Sequence, residues 1–330
     1  MRDFRCPVCG QQLAFENSLC LRCGSSLAFA LEEVQFEILD SAGGAADGSG
    51  RECVNRDLAA CNWLTDAQHP LCRSCALTRT RPADADLAAL PLFAEAEAAK
   101  RRLVVELTEL SLPIVGREVD PQNGLCFDLL SSEAEQVMTG HADGVITLDL
   151  SEGDDVHREQ LRVSMDEPYR TLLGHFRHEI GHYYFTVLVG QGKARPDFEA
   201  MFGDPDADYQ EALDRHYSQG APAGWEDRYV SSYATMHQAE DWAETFAHYL
   251  HIRDTLDTAA AFAFAPADAT LDRPLAGERG FDRMIELWLP LSWSLNMINR
   301  SMGRPDLYPF VLPPAVLDKM RLAHRLVSER

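Results

Sequence analysis

Residues 178–182 read His-Glu-Ile-Gly-His. On a helix, His178 and His182 stand one turn apart on the same face. Two imidazoles at that spacing can hold one Zn²⁺, and Glu179 between them can take a proton from an attacking water. Such a site needs one more protein ligand and an open position. A second segment, Ala239-Glu240-Asp241-Trp242-Ala243-Glu244, offers two carboxylates spaced i,i+4 and so on one helical face. One of them can complete the metal set, and the other can accept the free ring N–H of a ligand histidine and fix its tautomer. A rival arrangement uses Glu244 with His248, which is spaced the same way.

Both segments read as buried helices. Leu172, Leu173, Phe176, Ile180, Tyr183 and Val187 recur at three- and four-residue intervals, and Gly190 and Gly192 end the run. Glu167-Pro168 reads as the helix start. Around Glu240, the residues Trp242, Ala243, Phe246, Ala247 and Leu250 predict a core helix over about 231–252. Two glutamates in such a helix are costly to bury without a cation.

Four thiols form a second, independent metal signature. Cys6-Pro-Val-Cys9-Gly10 and Cys20-Leu-Arg-Cys23-Gly24 are two knuckles whose spacing predicts a tetrahedral structural zinc. The glycine after each pair permits the backbone to turn around the metal. Cys53, Cys61, Cys72 and Cys75 follow as a wider quartet, predicting a second structural zinc in which His69 is an alternative to Cys61. Of the nine cysteines, Cys126 is left over in an apolar, strand-like run.

With these motifs in place, the chain resembles a known group. His178-Glu179-x-x-His182 followed by Glu240-x-x-x-Glu244 looks like a gluzincin-type metallopeptidase, with lethal-factor-like enzymes as distant relatives. The phrase from Glu240 to His251 (Glu-Asp-Trp-Ala-Glu-Thr-Phe-Ala-His-Tyr-Leu-His) resembles a bacterial family of zinc-binding metallopeptidases with an N-terminal zinc ribbon. The resemblance runs from the first cysteines to Asp306-Leu-Tyr-Pro-Phe310. It implies a zincin-like fold, Glu240 as the third ligand, Glu244 as support for a histidine, and Tyr233 as donor to the developing oxyanion, with Tyr229 and His237 as competitors. No histidine occurs between His182 and His216, which excludes the extended metzincin motif.

Charge narrows the function classes. The chain carries 52 acidic and 30 basic side chains, a net −22. Residues 1–82 hold eight basic and ten acidic side chains, so nearly all of the excess lies beyond them. A ribbon without a basic footprint on an acidic protein argues against nucleic acid as a partner. It fits a protein partner or substrate presentation better. No apolar stretch is long enough to span a bilayer, so no membrane role is expected. The chain opens straight into a zinc knuckle, not an apolar leader, and paired knuckles need reduced thiols, so the expected compartment is the cytoplasm.

The expected architecture is α+β with helices dominant: a four-cysteine zinc-ribbon domain over 1–82 and a helix-rich, zincin-like domain with a small sheet over 83–330. Further helices are expected at Leu92–Leu110, near Tyr209–His216, near Phe281–Met302 and at the end. Val145–Leu150, after the Ala142-Asp143-Gly144 hairpin signal, is expected as a sheet edge able to pair with an extended peptide. The expected function is a zinc-dependent peptidase acting on a peptide or protein substrate, with one catalytic and one or two structural zinc ions. The alternative is a non-catalytic zinc-ribbon adaptor with a peptide-binding body.

Overall fold

The computed structural model describes residues 1–66, 68–132, 137–153, 171–266, 269 and 277–329. The expected helix start at Glu167-Pro168 lies outside them. The chain divides into two compact units, Met1–Leu161 and Arg162–Arg330.

The first unit begins with short antiparallel pairs. β1 (Phe4–Arg5) pairs with β2 (Gln12–Leu13), β3 (Leu27–Ala30) with β4 (Gln35–Ile38), and β5 (Arg51–Glu52) with β6 (Leu64–Thr65). Strands this short cannot bury much, so aromatic packing holds them together. Phe4, Phe15, Phe29, Phe36 and Trp63 are all at most 6% exposed and stack edge-on or tilted, with ring centroids 4.9–6.3 Å apart. A single-turn helix α1 (Arg73–Ala76) and strand β7 (Thr78–Thr80) lead to helix α2 (Ala89–Glu109), which buries Phe93, Leu103, Val104 and Leu107.

A mixed sheet closes the unit in the order β7, β8 (Cys126–Leu130), β10 (Val145–Asp149), β9 (Gly140–Ala142). β8 pairs in parallel with both β7 and β10, and β9 and β10 form the expected hairpin through Asp143-Gly144. β10 is therefore an interior strand, and the expectation of an edge there is corrected. Its alternating burial reports only which face is covered, whereas β9, formed from the other arm of the same hairpin, takes the edge. Cys126 is buried in β8, as its apolar context suggests.

The second unit is helical among its described residues. Helix α3 (Leu172–Tyr184) starts at Thr171, whose hydroxyl accepts from the Gly174 N–H at 3.0 Å. A π-helical turn, Phe185–Val189, extends it to Gly190. Two helices follow, α4 (Arg195–Phe202) and α5 (Tyr209–Gln219), then a short 3₁₀ turn, Tyr233–Thr235. Helix α6 (Gln238–Ala261) packs along α3, and α7 (Gly277–Ser301) and α8 (Pro314–Ser328) complete the unit. Among the described residues no helix is long and apolar enough to cross a membrane.

The α3–α6 contact sets the geometry of everything that follows. A Cβ added at Gly181 would lie 3.0 Å from the Ala243 Cα and 3.2 Å from its carbonyl oxygen. The indole of Trp242 donates to the Gly181 carbonyl at 2.8 Å, pinning one helix to the other. From the far side, Lys319 of α8 reaches Asp241 at 2.6 Å, with both side chains under 10% exposed. Gly181→Ala is expected to wedge the helices apart by a few tenths of an ångström and to cost about 1–3 kcal/mol, read as a fall in denaturation midpoint. The loss should exceed that of Gly192→Ala, where the new Cβ would meet only one atom.

Candidate functional site

α3 and α6 bring together side chains from distant parts of the unit's sequence. The Nε2 atoms of His178 and His182 lie 3.0 and 3.5 Å from a single oxygen, Oε2 of Glu240. Potential ligand atoms of these three residues all fall within 4.8 Å of one another. Nδ1–H of His178 faces the other way, at 2.7 Å from Oε1 of Glu244, whose Oε2 accepts from the Ser231 hydroxyl at 2.6 Å. The two glutamates thus occupy different sides of the same imidazole, as their one-turn spacing dictates.

The electrostatics follow from burial and pairing. Burial works to lower the His178 pKa, but its hydrogen bonds and charge interactions with Glu240 and Glu244 leave it well above the usual imidazole value. Burial likewise works to raise both glutamates, yet His178 and His182 hold Glu240 far below the usual carboxylate range, and His178 and Ser231 hold Glu244 at about 2. Two nitrogens and a carboxylate oxygen, converging at low solvent access, fit the His₂Glu donor set of a catalytic zinc.

Glu179 is 5% exposed, and its Oε2 is buried without a hydrogen-bond partner among the described residues. A buried carboxylate oxygen left unpaired in a folded protein asks for a water, an ion or a catalytic role. Its charge acts on the hydroxyl of Tyr209.

Two tyrosines face this group. Tyr233 stands on its own 3₁₀ turn, outside α6, because the His237 side chain caps α6 by accepting from the Ala239 N–H at 3.0 Å. The expected helix start near 231 is therefore corrected to Gln238. The Tyr233 ring is still 6.0 Å from that of His178, and burial together with the Glu240 charge raises its pKa. Tyr209, at the start of α5, donates to Oε1 of Glu240 at 3.0 Å. Neither Tyr209 nor Ser231 stands out in the sequence, since both reach the site by tertiary contact without any motif spacing.

The remaining candidates are engaged elsewhere. Tyr229 lies under the Lys319 ammonium, 4.2 Å from ring centre to Nζ. His237 is a helix cap and also binds the Ala207 carbonyl. His248 bonds to the Tyr308 hydroxyl at 2.8 Å and packs on Phe310, where burial pulls its pKa down to about 4. His251 sits among Trp288 and Tyr308, pulled down by burial to about 3.

The first unit holds two four-cysteine groups, Cys6, Cys9, Cys20, Cys23 and Cys53, Cys61, Cys72, Cys75. Sulfur pairs stand 3.6–3.7 Å apart, and all nine cysteines are free thiols. A tetrahedron with metal–sulfur bonds of about 2.3 Å has edges of about 3.8 Å, so both groups fit zinc. Gly10 and Gly24 take φ values of 70° and 73°, the left-handed turn that closes each knuckle. Cys61 belongs to the second group, whereas His69 is exposed and bonded to Asp66.

Residues 3–86 match a zinc-ribbon domain. Uncharacterized proteins of Mycobacterium tuberculosis and Mycobacterium bovis are each 63% identical over 332 residues, covering 100% of this chain and 96% of theirs. No solved structure matches. Residues 89–326 match the family described as "putative zinc-binding metallo-peptidase", and the chain belongs to that family.

Proposed function

We propose that this protein is a zinc-dependent peptidase of the gluzincin type, with His178, His182 and Glu240 as zinc ligands. The observation that carries the reading is the convergence of both Nε2 atoms on one Glu240 oxygen, with an unpaired Glu179 oxygen on the adjoining residue. A zinc ion held there supplies Lewis acidity, polarising a carbonyl and drawing the pKa of water towards ~7.

The protein's own groups do the rest. Glu179 accepts a proton from the attacking water and returns it to the leaving amine. Glu244 holds the Nδ1 proton of His178, which keeps the Nε2 lone pair free for the metal. Tyr209 occupies one Glu240 oxygen and so leaves the other facing the imidazoles. Tyr233 donates to the oxyanion of the tetrahedral intermediate. Tyr233→Phe is expected to lower kcat about 10²–10³-fold at unchanged zinc content, measured on a single fluorogenic peptide.

In this reading the ribbon, residues 1–82, carries two structural zincs and meets a protein partner or presents substrate. Residues 83–330 form the peptidase. The reduced thiols suit the cytoplasm. The test is to incubate the protein with a mixture of unfolded proteins and to sequence new amino termini by mass spectrometry. Termini that require zinc and vanish with Glu179→Gln support the peptidase. Peptide capture that persists unchanged in Glu179→Gln, with no new termini, would favour the adaptor reading instead.

A further inference from the structure

The two four-cysteine groups differ in how their charge can be balanced. A zinc dication held by four thiolates carries two net negative charges. In the first group Cys23 is exposed and Cys9 half-buried, so water can screen that charge. In the second group Cys53, Cys61, Cys72 and Cys75 are each at most 1% exposed. A buried excess of that size needs counter-charge from the protein.

Helix α2 carries buried charges against this group. Arg101 is 2% exposed, and among the described residues no carboxylate bonds to it. Both terminal nitrogens instead donate to the Ala59 carbonyl at 3.2 Å, and one also to that of Ala60, directly before Cys61. One residue earlier, Lys100 is fully buried and paired with fully buried Glu97 at 2.6 Å. Glu97 also contacts the Thr78 hydroxyl and lies 3.7 Å from the Cys75 sulfur. Lys100 and Glu97 sum to zero as a pair, with the carboxylate on the sulfur side, which leaves Arg101 as the net positive charge that this stretch of α2 brings to the cysteine group.

We propose that Arg101 is the counter-charge of the second zinc centre, so that the ribbon's inner metal site is completed by a helix from the peptidase-family segment. This rests on the second cysteine group holding zinc and is independent of catalysis. Because α2 lies at 89–109, inside the segment that matches the peptidase family, the ribbon's metal content then depends on residues beyond the ribbon itself.

The experiment follows zinc transfer from the full-length reduced protein to a chromogenic chelator, with circular dichroism recorded in parallel. Arg101→Met should release one equivalent about 10–100-fold faster than the parent, the range seen when groups supporting a metal's ligands are lost. The paired change Glu97→Gln with Lys100→Met removes two charges but leaves the local sum unchanged, so its release should stay within about 3-fold of the parent. Arg101→Lys keeps the charge without the planar fork and should also hold zinc, which keeps the test decisive if Arg101→Met does not fold. Cobalt substitution gives a second readout, since the thiolate-to-cobalt absorption of one centre should weaken in Arg101→Met alone. Equal acceleration in Arg101→Met and the paired variant, or release from Arg101→Lys as fast as from Arg101→Met, would overturn the proposal and leave Arg101 as a packing residue. A cysteine group that takes up no zinc in the parent protein would remove the premise and leave the peptidase reading untouched.

Discussion

Glu179→Gln should keep the full zinc complement and the fold while lowering kcat by about 10³-fold or more. Glutamine matches glutamate in shape but cannot accept the proton of the attacking water, and general base catalysis typically contributes 10²–10⁴-fold. The side chain is 5% exposed and its Oε2 has no partner among the described residues, so the substitution breaks no hydrogen bond at that atom. Replacing a carboxyl group that has one buried, unpartnered oxygen with a neutral amide should even raise thermal stability slightly, the usual exchange between activity and stability at a catalytic site. The measurements are elemental zinc analysis, a thermal melt and turnover of one peptide. A fall in zinc content would make Glu179 a ligand instead of a base. Unchanged turnover would mean the reaction, if any, does not use this residue. His182→Ala is the companion variant, expected to lose one zinc with the helices intact.

Cys72→Ser should have the largest effect on folding. The Cys72 sulfur lies 3.7 Å from that of Cys61 and accepts the Cys75 N–H at the start of α1, while its own N–H reaches the Cys53 sulfur. One residue therefore joins the metal group, a helix cap and the loop between the two halves of the quartet. Structural zinc contributes about 10–16 kcal/mol in small zinc modules, against a total stability of about 5–15 kcal/mol for a typical domain. The strands beside it are only two to four residues long and cannot compensate. The expected result is loss of one zinc and rapid proteolysis within the first unit, while Cys23→Ser, at an exposed thiol of the other group, is milder. Resistance of Cys72→Ser to protease at parental levels would show that the metal is dispensable for folding there.

Much of the site was legible because its spacing is local. His178 and His182 sit one turn apart on a helix, as do Glu240 and Glu244, and each knuckle is four residues long with a glycine after it. What could not be read depends on contacts between segments. Tyr209 and Ser231 touch the glutamates across 31 and 13 residues of chain. Helix α4 was hidden by Pro196, which reads as a breaker but occupies the first turn, where its missing N–H costs nothing. The helix expected near Phe281–Met302, by contrast, is present as α7 and runs through Pro290. The start of α6 was displaced because histidine is not among the residues favoured as caps, yet His237 fills that role.

The backbone contact at Gly181 and Ala243 makes the α3–α6 pair a ruler with a hard stop. The histidines are graduated on one edge and the glutamates on the other, and the gap between the edges is already closed. An aspartate at position 240 would fall short by one methylene, about 1.5 Å. The helices have no slack with which to make up that length, so at this site a shorter acid of the same charge is the wrong tool.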